Sequence, residues 1–435
     1  PQIRFGEDLM SRVSYVMMNP GGDLEMTKVI RSAINDLALN VTSQAKRELD
    51  EVVEVAFVGN PIMHHLLLGI NPIELGGAPF ALSTDESVRV RARDLNLKLH
   101  TNTRCYVLPC IAGHVGADTA GMILSEAPHH REAMTLLVDI GTNAEIVLGN
   151  NQRLLAASSP TGPAFEGAQI SSGQRAAPGA IERVRIDRKT LEPRFQVIGS
   201  ELWSNDPGFS KDTKGIGVTG ICGSGIIEVI AEMYLAGILS QDGVINGNLA
   251  AKSKHIIADG RTFSYVLSNG QHIIHVTQND VRAVQLAKAA LYAGIRLLME
   301  RMEIEAVDRI RLAGAFGSHI DVKYATVLGL IPDCDLKQVS SAGNSAGTGA
   351  RIALLNYDSR QEIEEVVRQV EKVETAVEAK FQEHFVQAMA FPHKVDSFPN
   401  LAKVIELPAE IDMQNHASSI QQRKIRRRRT SNKAL

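Results

Sequence analysis

The sequence predicts an α/β protein built from two related halves. Residues 136–148, LLVDIGTNAEIVL, have the pattern of a buried strand, a tight turn and a second strand. Residues 310–320, IRLAGAFGSHI, have the pattern of a strand that ends in a glycine turn and opens a helix. Two pairs of segments also recur in the same order along the chain, which indicates an internal duplication.

The first repeated pair is a strand followed by glycine. Residues 52–60, VVEVAFVGN, match residues 307–315, VDRIRLAGA, and each segment follows an amphipathic helix. The second pair matches residues 110–124, CIAGHVGADTAGMIL, with residues 340–354, SSAGNSAGTGARIAL. Two ordered matches favour a common origin, and two similar βα units without one are the alternative.

The strand–turn–strand and the glycine turn, in this order in one α/β chain, are typical of the acetate/sugar kinase–actin superfamily. In that fold ATP lies between two ribonuclease-H-like halves. We therefore expect an incomplete first half over residues 1–132, a second half over residues 133–357, and a C-terminal helix with a basic tail over residues 358–435. The first half is expected to lack its opening strands, because no counterpart of the hairpin at Asp139 precedes it and the chain starts at proline.

The hairpin turn supplies the first candidate binding residues. The backbone N–H groups of Gly141, Thr142 and Asn143 can approach a phosphate, and Asp139 can hold a water bound to Mg²⁺. A hairpin between core strands without a ligand is the alternative. The glycine turn provides Gly314, Ala315 and Gly317, which would let a flat ring lie close to the backbone. We expect the two turns to face each other across the domain junction.

Other segments have two interpretations each. Gly223 and Gly225 precede a helix and could form an anion site or a turn where helix and sheet pack closely. Glu166 could be a catalytic residue that orients a water or metal, or an ordinary cap or loop carboxylate. His64 and His65 are adjacent on a predicted helix and should point to different faces, which would exclude a shared metal.

Composition favours a cytoplasmic globular protein. No apolar run approaches the length of a membrane span, so no membrane partner is expected. The four cysteines, Cys105, Cys110, Cys222 and Cys334, form no CxxC pair and have no metal-ligand spacing, which predicts reduced thiols and no cluster ligated within the chain.

The C-terminal region is amphipathic and then basic. Residues 361–389 predict one long helix that packs on the body, with a homodimer helix as the alternative. The last fifteen residues hold seven Lys or Arg and no acid, so the rest of the chain has a formal charge of −10. A solvated end is favoured over a handle for an acidic partner. Nucleic acid is not expected, because no aromatic residues interleave with these charges.

Several segments together identify a family. PQIRFGEDLMSRVSY, VAFVGNPIMHHLLLGI, LVDIGTNAEIVLGN, GPAFEGA, GICGSGIIE and IRLAGAFGSHID resemble the reductive activators of corrinoid-dependent methyltransferases. These activators are ferredoxin-like ATPases with a C-terminal domain of the actin and sugar-kinase type. The resemblance runs from residue 1 to about residue 356.

The resemblance implies ATP-dependent reduction of a corrinoid protein from Co(II) to Co(I). It places ATP with Mg²⁺ and a docking surface for the corrinoid protein in this chain, and a 2Fe-2S cluster in an N-terminal domain outside it. The chain has no corrinoid-binding DxHxxG segment, so it should bind a corrinoid protein and not the cofactor itself. A small-molecule kinase of the same fold, with Glu166 or a cleft Asp as base, is the alternative function, and a scaffold without nucleotide binding is a third.

Overall fold

The computed structural model describes residues 2–6, 8–270 and 272–408, and the basic tail lies outside the described residues. The helices are α1 Leu9–Met18, α2 Gly22–Ala45, α3 Pro61–Leu68, α4 Ala117–Glu126, α5 Phe209–Asp212, α6 Gly223–Leu235, α7 Gln278–Arg301, α8 Gly314–His319, α9 Val322–Leu328, α10 Ser345–Leu355, α11 Tyr357–Gln369, α12 Phe381–Gln387 and α13 Pro399–Ala402. The strands are β1 Glu54–Phe57, β2 Val88–Arg91, β3 Arg104–Val107, β4 Thr135–Ile140, β5 Ala144–Gly149, β6 Leu154–Ser159, β7 Ala180–Ile186, β8 Pro193–Val197, β9 Gly220–Ile221, β10 Ile256–Asp259, β11 Thr262–Asn269, β12 Ile273–Thr277, β13 Arg309–Ala313, β14 Val339–Gly343 and β15 Glu371–Lys372.

The chain folds into two compact units. The first unit contains the described residues up to Pro163, Ala289–Val322 and Ile331–Val386. The second unit contains Ala164–Lys288, Lys323–Leu330 and the described residues from Gln387 onward.

The main sheet of the first unit has six strands in the order β14-β13-β4-β5-β6-β15. Strands β4, β5 and β6 form an antiparallel meander, while β13 runs parallel to β4 and β14 parallel to β13. This is the ribonuclease-H-like arrangement expected of the second half. Strand β4 is fully buried over its first four residues, so its polar end at Asp139 lies where the apolar core stops.

A three-stranded sheet in the order β1-β3-β2 belongs to the same unit. Its β1 and β3 are parallel, as β13 and β14 are in the main sheet. Each of these four strands is followed by a helix in the chain: α3, α4, α8 and α10. A helix of 24 residues precedes each repeat, α2 in the first and α7 in the second. The element order therefore repeats as the sequence comparison predicted.

The repeated helices α4 and α10 pack directly on each other. A Cβ placed on Gly349 would lie 2.0 Å from the carbonyl oxygen of Gly121. The two helices approach at backbone distance because neither residue has a side chain at the crossing.

The second unit contains the sheets β8-β7-β9 and β10-β11-β12. Helix α6 packs on β7 and places the buried Glu228 beside two arginines of that strand. Arg183 Nη1 and Arg185 Nη1 lie 2.7 and 2.6 Å from the Glu228 carboxylate oxygens. The two guanidinium groups offset the energetic cost of burying the Glu228 carboxylate.

The prediction of one long C-terminal helix over residues 361–389 is wrong. Helix α11 ends at Gln369, and β15 then pairs with β6 through Glu371 and Leu155. The Val373 N–H donates to the Ala156 carbonyl at 2.9 Å. Val370 and Val373, which fit a helical pattern, are instead buried against the edge of the sheet. There the main chain gains hydrogen-bond partners on β6. Within the described residues, no helix combines the length and apolar character needed to cross a bilayer.

Candidate functional site

The turn between β4 and β5 is held in one geometry by the segment after β6. The Thr161 hydroxyl lies 2.8 Å from the Gly141 carbonyl oxygen and 3.0 Å from that of Thr142. The Gly162 N–H donates to the same Thr142 oxygen at 2.8 Å. In a trans peptide the carbonyl and the following N–H point in opposite directions. The amides of Thr142 and Asn143 are therefore directed away from Thr161, as a phosphate-binding turn requires.

Three carboxylates meet beside this turn. Asp139 at the end of β4 lies directly opposite Glu145 on β5 in the strand register. Asp118 comes from the first turn of α4. All three side chains are half-buried. Like charges placed opposite each other in a sheet are destabilising, so this arrangement is not explained by stability.

The electrostatics of these acids confirm their proximity. Burial, and then repulsion from Asp139, raises the pKa of the Asp118 carboxyl to about 6. Burial, with repulsion from Asp118 and Asp139, raises the pKa of Glu145 well above its ordinary value. Burial also raises the pKa of Asp139. Such shifts concentrate at functional sites, and a bound cation would relieve the repulsion.

Gly314 lies beside Asp139 with no room for a side chain between them. Ala313 on β13 is the register partner of Asp139 on β4, and Gly314 follows with φ of +79°. A Cβ on Gly314 would lie 2.3 Å from Asp139 Oδ1. Only glycine fits both the backbone conformation and the space.

The glycine turn continues into α8, which includes Ala315 and Gly317. A Cβ on Gly317 would lie 2.9 Å from the Leu312 carbonyl carbon, so this helix starts tightly against β13. The structure thus brings the hairpin and the glycine turn together, as predicted. They are neighbours in one sheet of the first unit, and not partners across a domain junction.

The other predicted site residues belong to the second unit. Glu166 is exposed at the end of a short 3-10 helix, Pro163–Glu166. Gly223 and Gly225 lie in the first turn of α6, and a Cβ on Gly225 would lie 2.2 Å from the Ile181 carbonyl oxygen. This contact favours close helix–sheet packing for Gly225. The catalytic role of Glu166 and the anion role of Gly223 stay predictions.

The predicted separation of His64 and His65 is wrong. Their Nδ1 atoms lie 3.4 Å apart, and His65 Nε2 accepts the Ser83 N–H at 3.1 Å. Side-chain rotation on α3 brings the rings together although their Cβ atoms diverge. Burial lowers the pKa of His64 to about 4, so its imidazole is neutral.

The four cysteines are free, buried thiols on different elements. Burial raises the pKa of Cys105 and of Cys334 to about 11, and raises that of Cys110 further. Cys222 precedes α6, and its Sγ lies 3.2 Å from the Ile181 carbonyl oxygen. The raised pKa values make Cys105, Cys110 and Cys334 poor metal ligands and poor nucleophiles.

Asp118 and Glu145 were missed as site residues in the sequence. Both are single acids within apolar segments, GADTAGMIL and NAEIVLG, and that contrast was the available signal. The three acids fit a magnesium ion by donor type, because Mg²⁺ prefers carboxylate and water oxygens and usually takes only one or two carboxylates directly. Asp139, Asp118 and Glu145 are the residues that would hold it, at least in part through water, because the oxygens of these three acids do not all lie within 4.8 Å of one another.

Comparisons with known proteins agree with this architecture. Residues 133–402 match the family model described as the C-terminal domain of RACo, the ASKHA domain, and residues 1–131 match the RACo middle region. The chain is 33% identical over 407 residues to the corrinoid activation enzyme RamQ of Eubacterium limosum, covering 91% of this chain and 65% of RamQ. It is 28% identical over 342 residues to the [Co(II) methylated amine-specific corrinoid protein] reductase of Methanosarcina barkeri, covering 74% of this chain and 59% of the reductase.

A solved structure of a reductive activator for corrinoid, iron-sulfur protein superposes with a TM-score of 0.77 at 33% identity. The match covers 90% of this chain and 61% of that protein. The chain thus spans about three fifths to two thirds of the length of these relatives. It belongs to the RACo family and contains the middle region and the C-terminal ASKHA domain of that family.

Proposed function

We propose that this chain is the nucleotide-binding and partner-docking part of an activator that returns a corrinoid protein from Co(II) to Co(I) with ATP. The observation that supports nucleotide binding most directly is the group of three carboxylates beside the turn at Gly141, which Thr161 holds by hydrogen bonds. The relatives named as corrinoid activators and reductases support the partner and the reaction. The proposed place of action is the cytoplasm.

Each residue of the turn has a distinct part in the proposal. The amides of Thr142 and Asn143 bind phosphate oxygens, since they point away from Thr161. Asp139, with Asp118 and Glu145, binds Mg²⁺ through water or directly, and Mg²⁺ supplies the charge that neutralises the phosphates. The adenosine is proposed to lie against the turn that contains Gly314, Ala315 and Gly317. A catalytic role for Glu166 and an anion site at the α6 turn around Gly223, both in the second unit, are separate proposals.

ATP matters because the reduction of Co(II) to Co(I) is uphill for common cellular donors. For a one-electron couple, about 59 mV corresponds to a tenfold factor, or about 1.4 kcal/mol. A protein that binds its partner differently in two nucleotide states can shift the cobalt equilibrium by that difference in binding energy. The electron is proposed to come from a 2Fe-2S domain of the activator outside these 435 residues, since the four thiols here are buried and lie on separate elements.

The nucleotide step is tested by titrating Mg-ATP into this chain and into Asp139→Asn. The amide keeps the shape and removes the charge, so we expect at least a tenfold loss of affinity. Asp50→Asn, an exposed residue of the same type in the first unit, should bind as the wild type does. Equal binding by the Asp139 variant and the wild type would contradict the proposed metal role.

The partner step uses a Co(II) corrinoid protein and anaerobic absorbance. The chain should bind this protein with micromolar or tighter affinity, about 8 kcal/mol, and should not produce the Co(I) band. In the full-length activator, Asp139→Asn should abolish ATP-dependent Co(I) formation and leave the iron–sulfur spectrum unchanged. Co(I) formation by this chain alone, or full activity of the variant, would overturn the assignment. Phosphorylation of a small molecule would instead favour a kinase.

A further inference from the structure

Two histidines and a glutamate converge where the two family matches adjoin. His129 Nε2 lies 2.7 Å, and His130 Nε2 2.9 Å, from Glu362 Oε1. The donor atoms of the three residues all lie within 4.8 Å of one another. We propose that His129, His130 and Glu362 bind a divalent first-row transition-metal ion, independently of the nucleotide site.

The donor set fits this class of ion. Two imidazole nitrogens and one carboxylate oxygen suit Zn²⁺, Co²⁺, Ni²⁺ or Fe²⁺, whereas Mg²⁺ and Ca²⁺ prefer oxygen ligands alone. With metal–ligand bonds of about 2.1 Å, two donors at right angles are about 3 Å apart. The nitrogen–oxygen separations in the structure are already close to that value. Two of the three donor separations therefore already match coordination of one ion, and the third is below 4.8 Å.

The backbone around the cluster positions these donors before a metal binds. The histidines end the short 3-10 helix Pro128–His130, and the Arg131 N–H closes that turn on the Pro128 carbonyl at 3.0 Å. The imidazole ring centroids are 4.2 Å apart. The His129 side chain is 12% exposed, while His130 is 62% exposed. The buried ring fixes the site, and the exposed side leaves positions for water on the metal.

Helix α11 supplies the third donor and is itself fixed. The Arg360 guanidinium on this helix donates to Glu54 at 2.7 Å, and Glu364 accepts from Ser87 at 2.6 Å and from Tyr106 at 3.0 Å. A metal would tie the connector that follows α4 to this helix. It would therefore join the middle region to the ASKHA domain within the first unit.

The protons at the site limit the expected affinity. Without metal, an Nε2–H group of either ring can donate to Glu362. A metal bound at Nε2 leaves Nδ1 as the only ring nitrogen that can carry a proton, and His129 Nδ1 is buried without a hydrogen-bond partner among the described residues. That buried donor is costly, so we expect micromolar and not nanomolar binding.

The test is titration of the untagged, metal-free chain with Zn²⁺ by calorimetry and with Co²⁺ by visible absorbance. We expect one ion per chain, a ligand-field spectrum with Co²⁺, and a melting temperature that rises with Zn²⁺ concentration. Glu362→Gln, and separately the exposed His130→Asn, should each weaken binding at least tenfold. Glu365→Gln, exposed on the same helix, is the matched control and should bind as the wild type does.

Two results would overturn the proposal. One is binding only at millimolar metal, which would be adventitious coordination. The other is unchanged affinity in both Glu362→Gln and His130→Asn, with far-UV circular dichroism showing that they fold. Because Mg-ATP titration reads the site at Asp139, loss of metal binding with retained nucleotide binding separates this proposal from the proposed function.

Discussion

Gly314→Ala should damage the proposed nucleotide site by a single methyl group. The added Cβ would lie 2.3 Å from Asp139 Oδ1, and real Cβ contacts are not found below 3.0 Å. The carboxylate must therefore move by about 0.7 Å or more, away from the geometry set by β4 and β13. A displacement of this size is enough to weaken Mg-ATP binding, and we expect a loss of about tenfold or more.

The expected loss of stability in Gly314→Ala has two parts, and a control variant can separate them. A non-glycine residue at φ of +79° costs about 1–2 kcal/mol. The clash with Asp139 adds about 1–3 kcal/mol of overpacking. Gly343→Ala is the matched control, because Gly343 has φ of +59° and a Cβ added there would meet nothing within 4 Å. Gly343→Ala should therefore cost only the first part.

The assay is urea unfolding of both variants, with Mg-ATP titration of each. A double variant, Gly314→Ala with Asp139→Ala, removes the obstacle and should recover about 1 kcal/mol or more relative to the sum of the single changes. Equal unfolding free energies for the Gly314 and Gly343 variants, with additive behaviour of the double variant, would refute the clash.

Three further predictions concern the same unit. Because burial and repulsion raise the carboxyl pKa values of Asp118 and Glu145, the folded state holds protons that the unfolded chain releases. Stability should therefore fall as the pH rises from about 4 through the Asp118 pKa of about 6, and fall further as Glu145 loses its proton. In urea unfolding, Glu145→Gln should gain about 1–3 kcal/mol at pH 7.5 but little at pH 4. Gly349→Ala should lower the unfolding free energy by about 1–3 kcal/mol, since the added Cβ would lie 2.0 Å from the Gly121 carbonyl oxygen. A higher unfolding free energy, as expected for Gly→Ala at an open helix position, would contradict the close contact between α4 and α10. Arg360→Met should lower the unfolding free energy by about 2–4 kcal/mol, because this buried guanidinium donates to Glu54 and to the Ala353 and Leu354 carbonyls. The control Arg368→Met, at an exposed position on the same helix, should lower it by less than about 0.5 kcal/mol. Similar losses in the two variants would show that the Arg360 hydrogen bonds contribute little.

Local patterns in the sequence predicted the elements that surround the site. The apolar run before Asp139 and the glycine after Ile140 predicted β4, the turn and β5, and the repeat predicted β1 and β13 at equivalent places. These features depend on residues close in the chain, where periodicity and turn chemistry decide the structure. The family resemblance was confirmed over the middle region and the ASKHA domain.

Pairings between distant segments could not be predicted in this way. Asp118 joins Asp139 and Glu145 only because α4 and the main sheet meet in three dimensions. The valines after Gln369 fit a helical stripe, but β15 forms because the edge of β6 offers unpaired main-chain groups. His129 and His130 gained significance only when Glu362, 233 residues after His129, was found beside them.

The contact between Gly121 on α4 and Gly349 on α10 explains how the middle region reaches the candidate site. Asp118 and Gly121 lie three residues apart on α4, so they occupy neighbouring positions on one face. The crossing at Gly121 and Gly349 fixes the distance between α4 and α10, and α10 follows β14 of the main sheet. A wider crossing would withdraw Asp118 from Asp139 and Glu145. The acidic group therefore depends on both family regions, and a variant such as Gly349→Ala should alter the acids' shared titration, in addition to lowering stability.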